Sequence, residues 1–163
     1  MRRTNVNVAS SVADLIAEGE RVALDSSAML SHLAQTEAVS LAATAVIEGL
    51  IASGRNDAVI SAVTVSELLV HPVQFGGDAV RRLVGFLDSL DGLQIRSADF
   101  LMAAEAARIR AETGIPLPDA LVIATAVLTS SKVLVTNDRR LADASRDAVS
   151  ELRVVILSEV AAV

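Results

Sequence analysis

Residues 132–141 read KVLVTNDRRL, and this stretch decides the fold. Lys132 to Thr136 is an unbroken apolar run of strand length, and it stops at Asn137-Asp138. A strand buried on both faces needs apolar side chains at every position, whereas a half-exposed strand alternates. The same grammar recurs upstream. Val22-Ala23-Leu24 is a short buried strand running straight into Asp25, and Val59 to Val65 is a second, β-branched one. Leu93-Gln94-Ile95 and Arg153 to Leu157 read as two more.

Helical segments alternate with these strands. Val39, Val46, Leu50 and Ile51 recur at helical spacing, and Gly54 stops the run. Ser66 and Glu67 open a helix, and His71 to Gly77, with Pro72 and two glycines, reads as a loop. Val80, Leu83, Val84, Leu87 and Leu90 form one apolar stripe, which either packs on the sheet or serves self-association. Ser97 is the expected cap of a helix through Glu112, closed by Gly114 and Pro116. After Pro118 and Asp119 the segment ALVIATAVL is apolar on every face, which marks a buried helix. Strand–helix alternation with unbroken apolar strands predicts a three-layer α/β/α sandwich with a central parallel sheet. Residues 1–9 are polar, and Ser11 is the expected cap of a short helix carrying Val12, Leu15 and Ile16. Residues 1–20 thus read as an extension with a short helix, and 21–163 as one domain.

Composition narrows the function. The chain has 163 residues, enough for one real core, and its 52% hydrophobic content excludes disorder over most of its length. It has no Cys, which removes disulfides, thiolate zinc sites and thiol nucleophiles together. With two His, His32 and His71, a three-histidine zinc site is impossible within the chain, so any metal is held mainly by oxygen. Three Phe and no Tyr or Trp leave no aromatic platform for stacking bases. The net charge of −6 does not attract a polyanion, so nucleic acid binding needs a local basic patch or a bound cation. Thirteen of the 14 basic residues are Arg. No apolar run reaches membrane-span length, and the first residues lack an apolar signal core, so the chain reads as soluble and cytoplasmic.

The acids fall in a pattern. Asp25 ends the first strand, Glu67 follows the second, and Asp138 follows the Lys132–Thr136 strand. In an open parallel sheet the carboxyl ends of the strands share one edge, where sites form. Asp119 joins them if its helix starts there. Each acid alone also suits a helix start, as a cap or in the first turn. Four together repel one another unless a cation sits among them. Oxygen ligands without Cys point to Mg²⁺ or Mn²⁺, and such clusters serve phosphodiester hydrolysis. Thr136 and Ser26 are supporting hydroxyls that could orient a ligand or water. His32 reads as a satisfied structural His. His71 and the pair Arg81-Arg82 read as solvated surface, Gly76-Gly77 as a turn, and Asp14, Asp57, Asp88 and Asp143 as surface charges.

Four pieces carry a family resemblance: VALDSSAML around Asp25, VTVSELL around Glu67, LPDALVIATAVL around Asp119 and VLVTNDRRL around Asp138. Their order and spacing, from Val22 to about Leu157, resemble a PIN-domain ribonuclease of the VapC kind, the toxin of a toxin–antitoxin pair. The resemblance implies a metal-dependent endoribonuclease that hydrolyses RNA. It makes Asp25, Glu67, Asp119 and Asp138 the acidic quartet holding Mg²⁺ or Mn²⁺, with Thr136 beside the last acid. It implies a homodimer neutralised by a small antitoxin. The sequence departs from the pattern in its first 20 residues, since small toxins of this kind begin almost at the first strand. Alternatives are an RNA-processing nuclease without antitoxin and a PIN-like binding module without activity. A receiver-type signalling domain needs an acidic pair after the first strand and a Lys after the last strand of its site, and the chain has neither. A phosphatase with an Asp nucleophile needs an acid at the position of Ser27.

Overall fold

The computed structural model describes residues 8, 11–34 and 38–162. Among these, five strands form one parallel sheet: β1 (Val22–Leu24), β2 (Ala58–Ser61), β3 (Leu93–Arg96), β4 (Val133–Thr136) and β5 (Arg153–Ile156), in the order β3-β2-β1-β4-β5. Val22 pairs with Ala58 on one side and Val133 on the other, and Leu24 with Ile60 and Val135. The chain therefore moves outward from β1 in both directions, and the switch point lies between β1 and β4.

The helices are α1 (Ser26–Ala34), α2 (Ala38–Val46), α3 (Ala62–Phe75), α4 (Gly77–Asp88), α5 (Phe100–Thr113), α6 (Leu117–Leu128), α7 (Arg139–Ala148) and a short α8 (Leu157–Val160). The turns Ile47–Ala52 continue α2 with π-helical bonding. Alternate strand residues enter two separate cores, as the period of two requires. Val22, Leu24, Ile60, Val133 and Val135 face Met29, Ala42, Ile47, Leu68, Leu83 and Leu157. Ala23, Val59 and Leu134 face Met102, Ile109, Ile123 and Leu141. Two apolar layers on one sheet make the three-layer α/β/α sandwich that the sequence predicts.

Several local expectations need correction. The second strand stops at Ser61 rather than Val65, because the Ser61 side chain accepts the Val63 N–H and starts α3 there. Glu67 therefore stands in the second turn of α3, not its first. The expected loop from His71 to Gly77 is helical to Phe75 with Pro72 inside it, and the break falls at Gly76, whose φ of 95° suits glycine. The cap of α5 is Asp99, which accepts the Met102 N–H at 2.9 Å, not Ser97. The last strand ends at Ile156, because Leu157 already opens α8. Ser11 is no cap: residues 11–15 are helical and Val8 is already in helical conformation. The stripe on α4 turns inward, with Leu83 and Leu87 buried and only Val84 largely exposed.

The segment before β1 belongs to the core. Val8, Val12 and Ile16 are buried in the same layer as α1 and α2. Asn56 donates to the Ala17 and Glu20 carbonyls at 2.7 and 2.9 Å, and Arg55 to those of Ala13 and Ile16 at 3.2 and 3.0 Å. Most of the expected polar stretch 1–9 lies outside the described residues. Among the described residues no single helix is long and apolar enough to cross a membrane.

Candidate functional site

Asp25 follows β1 at the switch point, and its backbone N–H still bonds the Val135 carbonyl at 3.2 Å. It caps α1: one carboxylate oxygen, Oδ1, accepts the Ser27 N–H. The other, Oδ2, accepts two hydroxyls, Ser27 at 2.8 Å and Thr136 at shorter range. Each hydroxyl also accepts a backbone N–H, Ser27 Oγ that of Asn137 at 2.7 Å and Thr136 Oγ1 that of Asp138 at 2.9 Å. Both hydroxyl protons thus point at one oxygen, and the ends of β1 and β4 are laced together through it. Asp25 is 4% exposed, so these bonds replace the water that a buried carboxylate loses.

The sequence placed Thr136 beside the last acid; its hydroxyl accepts the Asp138 N–H and donates to the Asp25 carboxylate. The other supporting hydroxyl is Ser27 rather than Ser26. A helix turning back from a strand end points the residue two past the cap at the cap's carboxylate, which the DSS run alone does not distinguish.

Asp138 is exposed and caps α7, its Oδ1 accepting the N–H groups of Arg140 at 2.8 Å and Leu141 at 3.2 Å. Asp119 lies in the first turn of α6, partly buried, and is not a cap: Pro116 precedes the helix and no side chain caps it. Burial pushes the Asp119 carboxyl above the ordinary Asp range, and the neighbouring charges of Asp138, Glu67 and Asp25, in that order, push it the same way. Arg140 opposes them. Asp119 thus feels each of the other three acids, so α6 starts at the carboxyl edge of the sheet. Glu67 is exposed on α3. Arg140 was not singled out by the sequence; its place two residues after Asp138 was the available signal.

The donor set suits a hard cation: four carboxylates, two hydroxyls, no sulfur. Burial is the larger part of the upward push on Asp119, and the repulsion from the other acids is the part that a cation would relieve. Among the described residues no three acidic or His side chains are drawn together closely enough to hold an ion as they stand. Ligation therefore needs side-chain rotation or water between acid and metal.

The other candidates are structural. His32 is buried between α1 and α2, its Nδ1 3.1 Å from Thr44 Oγ1 and its ring stacked on Phe86 at 5.5 Å. Burial holds it below the ordinary His value against the pull of Glu48. His71, Arg81, Arg82, Asp14, Asp57, Asp88 and Asp143 are exposed.

A family model described as PIN domain matches residues 22–147. No curated protein matches the chain. Solved structures share its fold. FitAcB from Neisseria gonorrhoeae superposes with a TM-score of 0.62 at 23% identity, covering 85% of this chain and 98% of that one. A toxin–antitoxin complex from Klebsiella pneumoniae gives 0.58 at 20% identity, covering 84% and 97%. DNA-bound VapBC from Salmonella typhimurium gives 0.58 at 18% identity, covering 85% and 98%.

Proposed function

Because the chain belongs to the PIN domain family, whose members are nucleases, we propose that it is a Mg²⁺- or Mn²⁺-dependent endoribonuclease and the toxin of a toxin–antitoxin pair. The observation that supports the reading is that the charges of Asp138, Glu67 and Asp25 all act on Asp119, while Asp25 and Asp138 follow the adjacent central strands β1 and β4. Asp25, Asp119 and Asp138 would hold the metal, with Glu67 completing the set directly or through water. The metal would supply an activated water at neutral pH and offset the charge of the scissile phosphate. The chain's own part is orientation. Ser27 and Thr136 fix the Asp25 carboxylate, and the α7 cap fixes Asp138. Hydrolysis then joins a water oxygen to phosphorus and breaks one P–O ester bond, the departing oxygen taking a proton.

The proposed partners are a small antitoxin, as in the toxin–antitoxin complexes above, set at the acidic edge, and a second copy of the chain, as the sequence resemblance implies. A soluble, cytoplasmic location is part of the same proposal. The nuclease domain would span 21–163, with residues 1–20 as its extension. The experiment is cleavage of single-stranded RNA by the purified chain with Mg²⁺ or Mn²⁺, with and without EDTA. EDTA-sensitive cleavage supports the reading, and light scattering tests the dimer. A PIN-like binding module without activity is the second reading, favoured by the open spacing of the acids. It predicts RNA binding with no cleavage under either metal. An RNA-processing nuclease would cleave without an antitoxin that silences it.

A further inference from the structure

We infer that the Arg140 guanidinium binds a backbone phosphate of the RNA and so seats the strand against the acidic edge; the inference rests on the nuclease reading above. An acidic chain of net charge −6 repels RNA everywhere except where a cation is presented. Nearly all the described arginines are already engaged. Arg21, Arg81, Arg96, Arg108, Arg139, Arg146 and Arg153 pair with acids. Arg55 and Arg110 donate to backbone carbonyls. Among the described residues only Arg82 and Arg140 have guanidinium groups with neither an ion pair nor a hydrogen bond, and Arg82 lies on the exposed side of α4.

Arg140 is placed differently. Its own N–H bonds Asp138 Oδ1 at 2.8 Å, so its backbone is locked to one of the proposed ligands. Its side chain is exposed, and its charge is felt at Asp119. It also lines a groove of about 390 Å³ between the α5–α6 turn, at Thr113 and Ile115, and α7. Asp143 and Asp147 line the same α7 wall further along the helix and repel phosphate. The backbone is therefore held at the Arg140 end, next to the acids. An unpaired guanidinium there supplies the two-pronged donor that a phosphate takes.

The test uses the full chain in two backgrounds. With Asp25→Asn to stop cleavage, a labelled single-stranded RNA is titrated by fluorescence anisotropy at several salt concentrations. Arg140→Ala should weaken binding about tenfold, as loss of one exposed charged hydrogen-bond pair implies. It should also lower the slope of log affinity against log salt by about 0.7, one phosphate contact. Arg140→Lys should recover part of the loss. Arg139→Ala, next door but paired with Glu159, should leave both quantities unchanged. In the active background Arg140→Ala should raise KM more than it lowers kcat. Ala suits helix α7 and keeps the N–H to Asp138, so folding is not at stake. Unchanged affinity and slope in Arg140→Ala would overturn the inference while leaving the nuclease reading intact. So would a fall in kcat alone. If the wild-type chain neither binds nor cleaves RNA, both readings are refuted together.

Discussion

Thr136→Val removes one hydroxyl from the molecule and keeps its shape. Thr136 is fully buried, so valine leaves no cavity and suits the strand. Two bonds go. The first is the donation to Asp25 Oδ2; a hydrogen bond to a charged group contributes about 1.5–3 kcal/mol. Asp25 still accepts the Ser27 N–H and hydroxyl, which places the loss toward the lower end. The second is acceptance of the Asp138 N–H at 2.9 Å, and because Asp138 is exposed, water replaces much of it, for about 0.5–1 kcal/mol. The sum is about 2–3 kcal/mol. At roughly 2–4 °C per kcal/mol for a chain of this size, Tm should fall by about 4–12 °C.

Thr136→Ser keeps the donor and loses one buried methyl, about 0.8 kcal/mol, so it should fall by only about 2–3 °C. The assay is thermal unfolding by circular dichroism in EDTA, which keeps any bound metal out of the measurement. The pair Ser27→Ala and Thr136→Val should lose more together than the sum of the two, because both hydroxyls serve one buried oxygen. A Thr136→Val melt within 2 °C of wild type, or a Ser variant no better than the Val one, would sink the reasoning: the hydroxyl would not be holding Asp25.

Asp25→Asn should abolish metal-dependent cleavage with an unchanged far-UV spectrum, while Asp88→Asn, exposed on α4, should cleave at the wild-type rate. Asp119→Asn should raise Tm in EDTA by about 2–4 °C, from about 1 kcal/mol of relieved repulsion. Burial first, and then the neighbouring acids, raise its carboxyl above the ordinary 3.8, so the penalty on the charged form fades as pH falls through the raised value toward 3.8; a gain that grew on acidification would contradict this. Asn56→Ala loses two buried donations to the Ala17 and Glu20 carbonyls and should cost about 2–3 kcal/mol, read as a fall in the urea midpoint.

The sheet was legible because its strands are buried on both faces. Val22–Leu24 and Val133–Thr136 announce themselves as unbroken apolar runs, and each ends in an acid or just before one. Boundaries were less legible where a hydroxyl decided them. Ser61 turns the chain into helix inside a run, AVISAVTV, that is β-branched on both sides of it, at Val59-Ile60 and Val63-Thr64-Val65, and no propensity reveals that one side chain bonding one N–H wins there. Pro72 misled in the other direction, since the ten residues of α3 before it were already committed to helix by packing. The site acids were legible by position, but their lacing was not. Ser27 and Ser26 are equivalent in sequence, and only the turn of α1 decides which one reaches Asp25.

Helix capping accounts for two of the four acids without any function. Asp25 accepts the Ser27 N–H and Asp138 accepts two N–H groups of α7, so both would be kept by folding alone. It does not account for Asp119. That carboxylate caps nothing, accepts no hydrogen bond among the described residues and is pushed up first by its burial and then by three neighbouring acids. On stability alone it is a cost, and a neutral amide or an alanine would serve α6 better. Glu67, exposed in the second turn of α3, has no fold role either, yet its charge reaches Asp119. The two acids that folding does not need are therefore the ones whose charges meet those of the two it does, and that repulsion is what the proposed cation would offset.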